Sequence, residues 1–252
     1  MPITVSFCDH IVTSLPERHE KDMKPKIVES FEPVTLVGGG PAIKKDLDAS
    51  LEIAPRAVAA DSGAATLLRF SIRPEAVIGD FDSLPPEIAA QLQRASMHRI
   101  TEQSSTDFDK AVRSIAAPVI IGVGFMGARV DHQLAALNVM VRRPDQPIVL
   151  ISETEVIWHV PRRITLDVRP GETVSLMPFA QVSGRSSGLE WPIDGIKFEP
   201  DGLIGTSNRA TGPVDLAMDG PGMIAFIPRP RLAGLVKALC DLAPDARWSA
   251  RA

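Results

Sequence analysis

Between residues 34 and 151 the chain alternates short, apolar runs with stretches of mixed polarity. The runs fall at 34–37, 57–60, 76–78, 119–121 and 148–151, and each has the length of a buried strand. The intervening stretches, at 42–53, 64–70, 87–95, 108–115 and 130–141, predict helices. The last has the clearest period: Val130, Leu134, Leu137 and Val141 recur at helical spacing and predict its buried stripe. Strands alternating with helices predict a mostly parallel sheet covered on both faces.

The period changes after Ser152. Ile164, Leu166 and Val168 alternate with polar residues, Arg169-Pro170-Gly171-Glu172 reads as a turn, and the alternation resumes at Val174 and Leu176. That pattern predicts a hairpin. Further strands are expected at 211–218 and 223–227, with a closing helix at 231–242. The expected class is α/β, with an N-terminal, mostly parallel α/β domain over 1–151 and a smaller antiparallel β-sandwich domain over 152–252. Residues 1–25, which precede the regular patterning, read as an appendage.

Composition narrows the partners. A chain of 252 residues with a net charge of -4 lacks the basic excess of a nucleic-acid binder, so any phosphate-binding cations must act locally. The two cysteines, Cys8 and Cys240, are too few and too far apart for a disulfide framework or a zinc knuckle. The first residues show no basic n-region with an apolar h-region, and no apolar run has membrane-spanning length. The expectation is a soluble, cytoplasmic protein with no nucleic-acid or membrane partner.

Candidate chemistry collects where the first strands end, the edge at which open α/β sheets bind ligands. Gly79-Asp80-Phe81-Asp82-Ser83 follows the 76–78 run. On an extended backbone Asp80 and Asp82 share a face while Phe81 points into the core. A divalent cation relieves the repulsion of paired carboxylates, and Mg²⁺ takes a few carboxylates with phosphate oxygens and water. By spacing alone the run fits a solvated acidic turn equally well. Asp61, after the 57–60 run, fits a site acid or the N-cap of the next helix. In Ser104-Ser105-Thr106-Asp107-Phe108-Asp109-Lys110, Thr106 and Asp109 have near capping-box spacing, which assigns Asp109 to the helix start. Asp107 is left as a metal-ligand candidate, and Lys110 as a phosphate contact or a surface lysine.

Gly38-Gly39-Gly40-Pro41 fits an anion-cradling loop leading into a helix with Pro41 at its first position, or simply a tight turn. Arg129 precedes a predicted helix, where a cation gains nothing from the helix dipole and is better explained by an anionic ligand. His132 reads as an ordinary helix residue, and Trp191 as core.

Asp61-Ser62-Gly63-Ala64, Gly79-Asp80-Phe81-Asp82-Ser83, Thr106-Asp107, Arg129-Val130-Asp131-His132 and Gly205-Thr206-Ser207-Asn208 occur in one chain in this order. In order and spacing the set resembles the thiamine pyrophosphokinases, over residues 34 to 228. The resemblance implies an α/β nucleotide-binding domain followed by a β-sandwich thiamine-binding domain. It also implies transfer of the diphosphate group of ATP to the hydroxyl of thiamine, giving thiamine diphosphate and AMP, in a homodimer with active sites between subunits. Asp80, Asp82 and Asp107 would be the Mg²⁺-centred acids, with Asp61 close by. Gln103, Thr106, Arg129 and Asp131 would contact ATP or order its phosphates, and Ser207 and Asn208 would hold thiamine. The chain departs from the family pattern in having Ser62 where a glycine is usual, and in having no aromatic residue between Asn208 and Phe226. The other functions weighed are a related diphosphokinase acting on a pterin alcohol and a non-catalytic thiamine- or nucleotide-binding regulator.

Overall fold

The computed structural model describes residues 26–250, so the 1–25 appendage lies outside the described residues. In chain order the main elements are β1 (Val28–Glu29), β2 (Val34–Val37), α1 (Lys44–Ile53), β3 (Arg56–Ala60), α2 (Gly63–Arg69), β4 (Ala76–Gly79), α3 (Pro86–Ala89), β5 (Met97–Arg99), α4 (Asp107–Ser114), β6 (Ile115–Ala116), β7 (Ile120–Val123), α5 (Val130–Arg142) and β8 (Ile148–Ile151). There follow β9 (Glu155–His159), β10 (Arg163–Leu166), β11 (Thr173–Pro178), β12 (Val182–Leu189), β13 (Lys197–Phe198), β14 (Gly205–Met218), β15 (Met223–Pro228) and α6 (Leu232–Cys240). Among the described residues no helix is long and apolar enough to cross a membrane.

The fold is mixed α/β, built on one large mixed sheet in the order β13-β12-β14-β11-β15-β9-β8-β7-β2-β3-β4-β5, with β10 attached to β14. From β8 to β5 every pairing is parallel. β2, β4, β7 and β8 are buried along their whole length, which is why they read as continuous apolar runs. β9 then pairs antiparallel with β8, with Leu150 opposite Ile157, and carries the same sheet into the second half of the chain. There the strands alternate, as in β11, where Val174, Leu176 and Pro178 are buried.

Four expectations are corrected. The hairpin across 169–172 does not form: the turn is present, but β10 and β11 both pair with β14, at Val214–Ala217 and at Gly205–Arg209 respectively. One long strand thus serves both, and the turn carries the chain from one segment of it to the other. The 87–95 helix is a single turn, α3, and the chain returns to the sheet as β5. α5 buries Ala136, Leu137, Val139, Met140 and Val141, whereas Val130 and Leu134 are 69% and 53% exposed. Its first two turns therefore run past the edge of the core. α1 begins at Lys44, so Pro41 lies in the loop and not at a first helical position.

Candidate functional site

The carboxyl ends of β2, β3, β4 and β7 converge on a cavity of about 420 Å³. Gly38, Gly39 and Gly40 from the loop after β2 form one wall, with Gly124 opposite, its carbonyl accepting from Gly40 N at 2.9 Å. Phe108 and Phe125 form an apolar wall, their ring centroids 4.5 Å apart. Asp61, Ser62, Thr106, Asp107 and Arg129 line the polar side.

Local backbone brings the acids together. Gly63 at the start of α2 packs so close to β2 that a Cβ there would stand 1.9 Å from the Val37 carbonyl oxygen. Asp61 makes the tight turn into α2 with φ 43. A Cβ on Gly79 would meet Asp61 Cβ at 2.8 Å, so the glycine of the Gly-Asp-Phe-Asp-Ser run is what lets the Asp61 side chain lie against β4. Phe81, expected on an extended backbone, instead has φ 66, a left-handed conformation that is strained for an aromatic residue. Its amide donates to Asp61 Oδ1 at 2.9 Å, and the Asp82 amide donates to Asp80 Oδ1 at 3.3 Å. The sharp turn, rather than a strand face, sets Asp80 and Asp82 side by side.

Asp61, Asp80 and Asp82 each present a carboxylate oxygen within 4.8 Å of the other two. Asp61 and Asp80 are buried and Asp82 is exposed. Asp61 Oδ2 is buried without a hydrogen-bond donor. Burial raises the Asp61 pKa, and Asp107 nearby raises it further. An all-oxygen set of three acids, one with an unsatisfied buried lone pair, fits a hard divalent cation such as Mg²⁺. This trio differs in one member from the set the resemblance implies, because Asp61 stands where Asp107 was expected. Asp107 lies next to the trio and is paired with the Lys110 ammonium at 3.0 Å, which also holds Asp80 Oδ2 at 2.7 Å. Lys110 is thus not a surface lysine; it is 2% exposed. Its hydrogen bond to Asp80 keeps the Asp80 carboxyl below the usual range.

The other expected residues are placed as follows. Thr106 caps α4, its Oγ1 accepting from Asp109 N at 3.2 Å. Asp109 goes beyond a helix-start role: it is buried and paired with Arg142 at 3.0 Å and Arg143 at 2.6 Å at the end of α5. Burial alone would raise its pKa, but Arg143 and Arg142 together hold it low. Arg129 and Asp131 form an exposed ion pair at 2.6 Å at the mouth of the cavity, with His132 also on its lining. Gln103 is exposed and stands outside the lining set.

Ser207 and Asn208 are not brought to this cavity. Ser207 has φ 64 and donates its amide to Ser175 Oγ at 3.0 Å. Asn208 is buried and bonded to the main chain of Trp191. Trp191, expected in the core, is 53% exposed. Ser62, in place of the usual glycine, sits over Gly39, whose added Cβ would meet the Ser62 hydroxyl at 2.1 Å.

Comparison with known proteins addresses the whole arrangement. A model described as "Thiamin pyrophosphokinase, catalytic domain" matches residues 47–150, and one described as "Thiamin pyrophosphokinase, vitamin B1 binding domain" matches residues 161–220. Thiamine pyrophosphokinase 3 of Oryza sativa subsp. japonica is 29% identical over 160 residues, covering 56% of this chain and 60% of that protein. Thiamine pyrophosphokinase 1 of Arabidopsis thaliana is 28% identical over 163 residues, covering 57% of this chain and 61% of that protein. The matched region thus spans about three-fifths of these plant relatives. Among solved structures, thiamin pyrophosphokinase from Candida albicans superimposes with a TM-score of 0.66 at 16% identity, covering 81% of this chain and 93% of that one. The Geobacillus thermodenitrificans enzyme gives 0.64 at 25% identity, covering 78% and 96%. The catalytic model takes in the acidic trio and the cavity lining apart from Gly38–Gly40, and the vitamin B1 model takes in Trp191, Ser207 and Asn208. With both models matched in that order along one chain, the chain belongs to the thiamin pyrophosphokinase family.

Proposed function

We propose that the protein transfers the diphosphate group of ATP to the hydroxyl of thiamine, giving thiamine diphosphate and AMP. The observation that carries this reading is the buried, donor-less Asp61 Oδ2 beside Asp80 and Asp82, at a cavity walled by a glycine loop. Bound Mg²⁺ would supply charge neutralisation for the polyphosphate, with Asp61, Asp80 and Asp82 as its holders and Asp107 next to them. The Gly39 amide, between the Gly38 and Gly40 amides that are bonded to the Val123 and Gly124 carbonyls, and the Arg129 guanidinium are the groups suited to orient the phosphates, and Thr106 and Asp131 stand with them. Attack at the β-phosphorus needs in-line placement of the thiamine hydroxyl more than covalent help, so positioning dominates. A carboxylate of the trio is suited to take the hydroxyl proton.

The proposal divides the chain near residue 151, with ATP on the α/β part and thiamine on a β-sandwich part that includes Trp191, Ser207 and Asn208. Since these three stand apart from the cavity, the reading includes a homodimer in which one protomer's thiamine-binding residues complete its partner's site. The exposed Trp191 ring is proposed as the aromatic face for thiamine. The proposed setting is the cytoplasm.

Product analysis tests the reaction. With ATP, Mg²⁺ and thiamine, AMP and thiamine diphosphate should appear in equal amounts. ADP with thiamine monophosphate would overturn it, intact ATP would indicate a binding protein, and turnover only with a pterin alcohol would move the acceptor.

A further inference from the structure

Helix α4 places an ammonium group inside the acidic site. Lys110 Nζ donates to Asp80 Oδ2 at 2.7 Å and to Asp107 Oδ1 at 3.0 Å, and the lysine side chain is 2% exposed. Burying a charge is unfavourable unless partners compensate, so a purely packing role would be served better by an apolar chain of similar length. The partners here are two of the acids at the site. Together Asp61, Asp80, Asp82 and Asp107 bring four carboxylates to one edge of the sheet, and Lys110 is the buried cation among them. Arg129, which lines the cavity, is exposed and paired with Asp131, and Arg99 on β5 donates to the Asp80 carbonyl, not to its carboxylate. The bonds also divide the donor atoms: Asp80 Oδ2 faces the ammonium, while Asp61 Oδ2 takes no donor at all.

We propose that Lys110 is an internal counter-cation that holds the acidic site assembled without a divalent ion and thereby lowers the site's affinity for that ion. The inference rests on reading Asp61, Asp80 and Asp82 as the metal site. The groups Lys110 touches are carboxylates of the site, so its proposed role is that of a positioning residue. Its removal destabilises the metal-free protein more than the metal-loaded one, because a divalent ion can take over the lost positive charge. By linkage, the ion must then bind the variant more tightly.

The test uses Mn²⁺ as the probe, without nucleotide, on the full chain. Calorimetry and thermal unfolding with and without Mn²⁺ are compared for wild type, Lys110→Met and the double variant Lys110→Met/Asp107→Asn, which removes one charge of each sign. Lys110→Met is expected to bind Mn²⁺ on the order of tenfold more tightly and to recover most of its lost melting temperature when saturated. The double variant should return towards wild type in both measurements. Folding of Lys110→Met only in the presence of Mn²⁺ would also support the proposal. An unchanged Mn²⁺ affinity, with the same loss of melting temperature in both conditions, would overturn it, as would failure of both variants to fold at saturating Mn²⁺. Wild type that binds no Mn²⁺, or binds it undiminished after Asp61→Asn/Asp82→Asn, would overturn the metal reading itself and this inference with it.

Discussion

Asn208 satisfies both main-chain polar groups of Trp191: its Oδ1 accepts from Trp191 N at 3.2 Å and its Nδ2 donates to Trp191 O at 2.7 Å. A buried side chain therefore fixes the backbone beneath an exposed aromatic ring. Asn208→Ala should leave these groups unpaired and cost about 1–3 kcal/mol, visible as a lower melting temperature. Trp191→Ala removes a half-exposed ring and should cost less stability than Asn208→Ala while raising the KM for thiamine about tenfold and sparing that for ATP. An unchanged thiamine KM would remove Trp191 from the acceptor site.

Asp82 is the exposed member of the acidic trio. Asp82→Asn should therefore leave the unfolding free energy within about 0.5 kcal/mol of wild type and reduce turnover by about a hundredfold or more. Near-normal turnover at saturating Mg²⁺ would return the run to an acidic turn. If Asn208→Ala also loses thiamine turnover, mixing its subunits with Asp82→Asn subunits should restore about a quarter of wild-type activity where sites are shared between protomers. No recovery after verified subunit exchange would place each site within one chain.

Asp109 ties α4, which carries Asp107 and Lys110, to the far end of α5 through Arg142 and Arg143. Asp109→Asn leaves two arginines facing a neutral group. The arginines retain some access to water, so the loss should lie near the low end for a broken buried pair, about 3 kcal/mol. Chemical denaturation measures it, and a loss below about 0.5 kcal/mol would show that the two helices are held by apolar packing.

Glu172 receives the Arg231 guanidinium in a two-pronged contact, with Nε at 2.9 Å and Nη2 at 2.8 Å, and this holds its pKa below the usual glutamate value. A depressed folded-state pKa contributes stability above the unfolded value, near pH 4.3, that is lost as pH falls through the folded one. Glu172→Gln should thus cost about 1 kcal/mol at neutral pH, with the two stability curves converging below about pH 4. Parallel curves across that range would exclude this pair as a source of acid sensitivity.

The parallel strands were legible because burial on both faces leaves an apolar run, as at Val34–Val37 and Ile148–Ile151. β12 was not, because Val182–Leu189 is built largely of serine and glycine and takes its register from β14. The false hairpin has the same origin: alternation marks β10 and β11 as strands but does not say that β14 pairs with both. At the site, the motif acids could be named from order and spacing. The closeness of Asp61 to Asp80 depends on a missing Cβ at Gly79, and the burial of Lys110 on how α4 packs against β3 and β4. Neither relation leaves a local periodicity.

The antiparallel bond between β8 and β9 has a mechanical consequence. Because Val149, Leu150 and Ile151 pair with Trp158, Ile157 and Val156, the two parts of the chain share one hydrogen-bonded plate. A plate transmits twist but does not swing open like a jaw, since folding along that line would break main-chain bonds in the middle of the core. Substrate alignment must then come from the loops at the strand ends or from the way two such plates are set against each other.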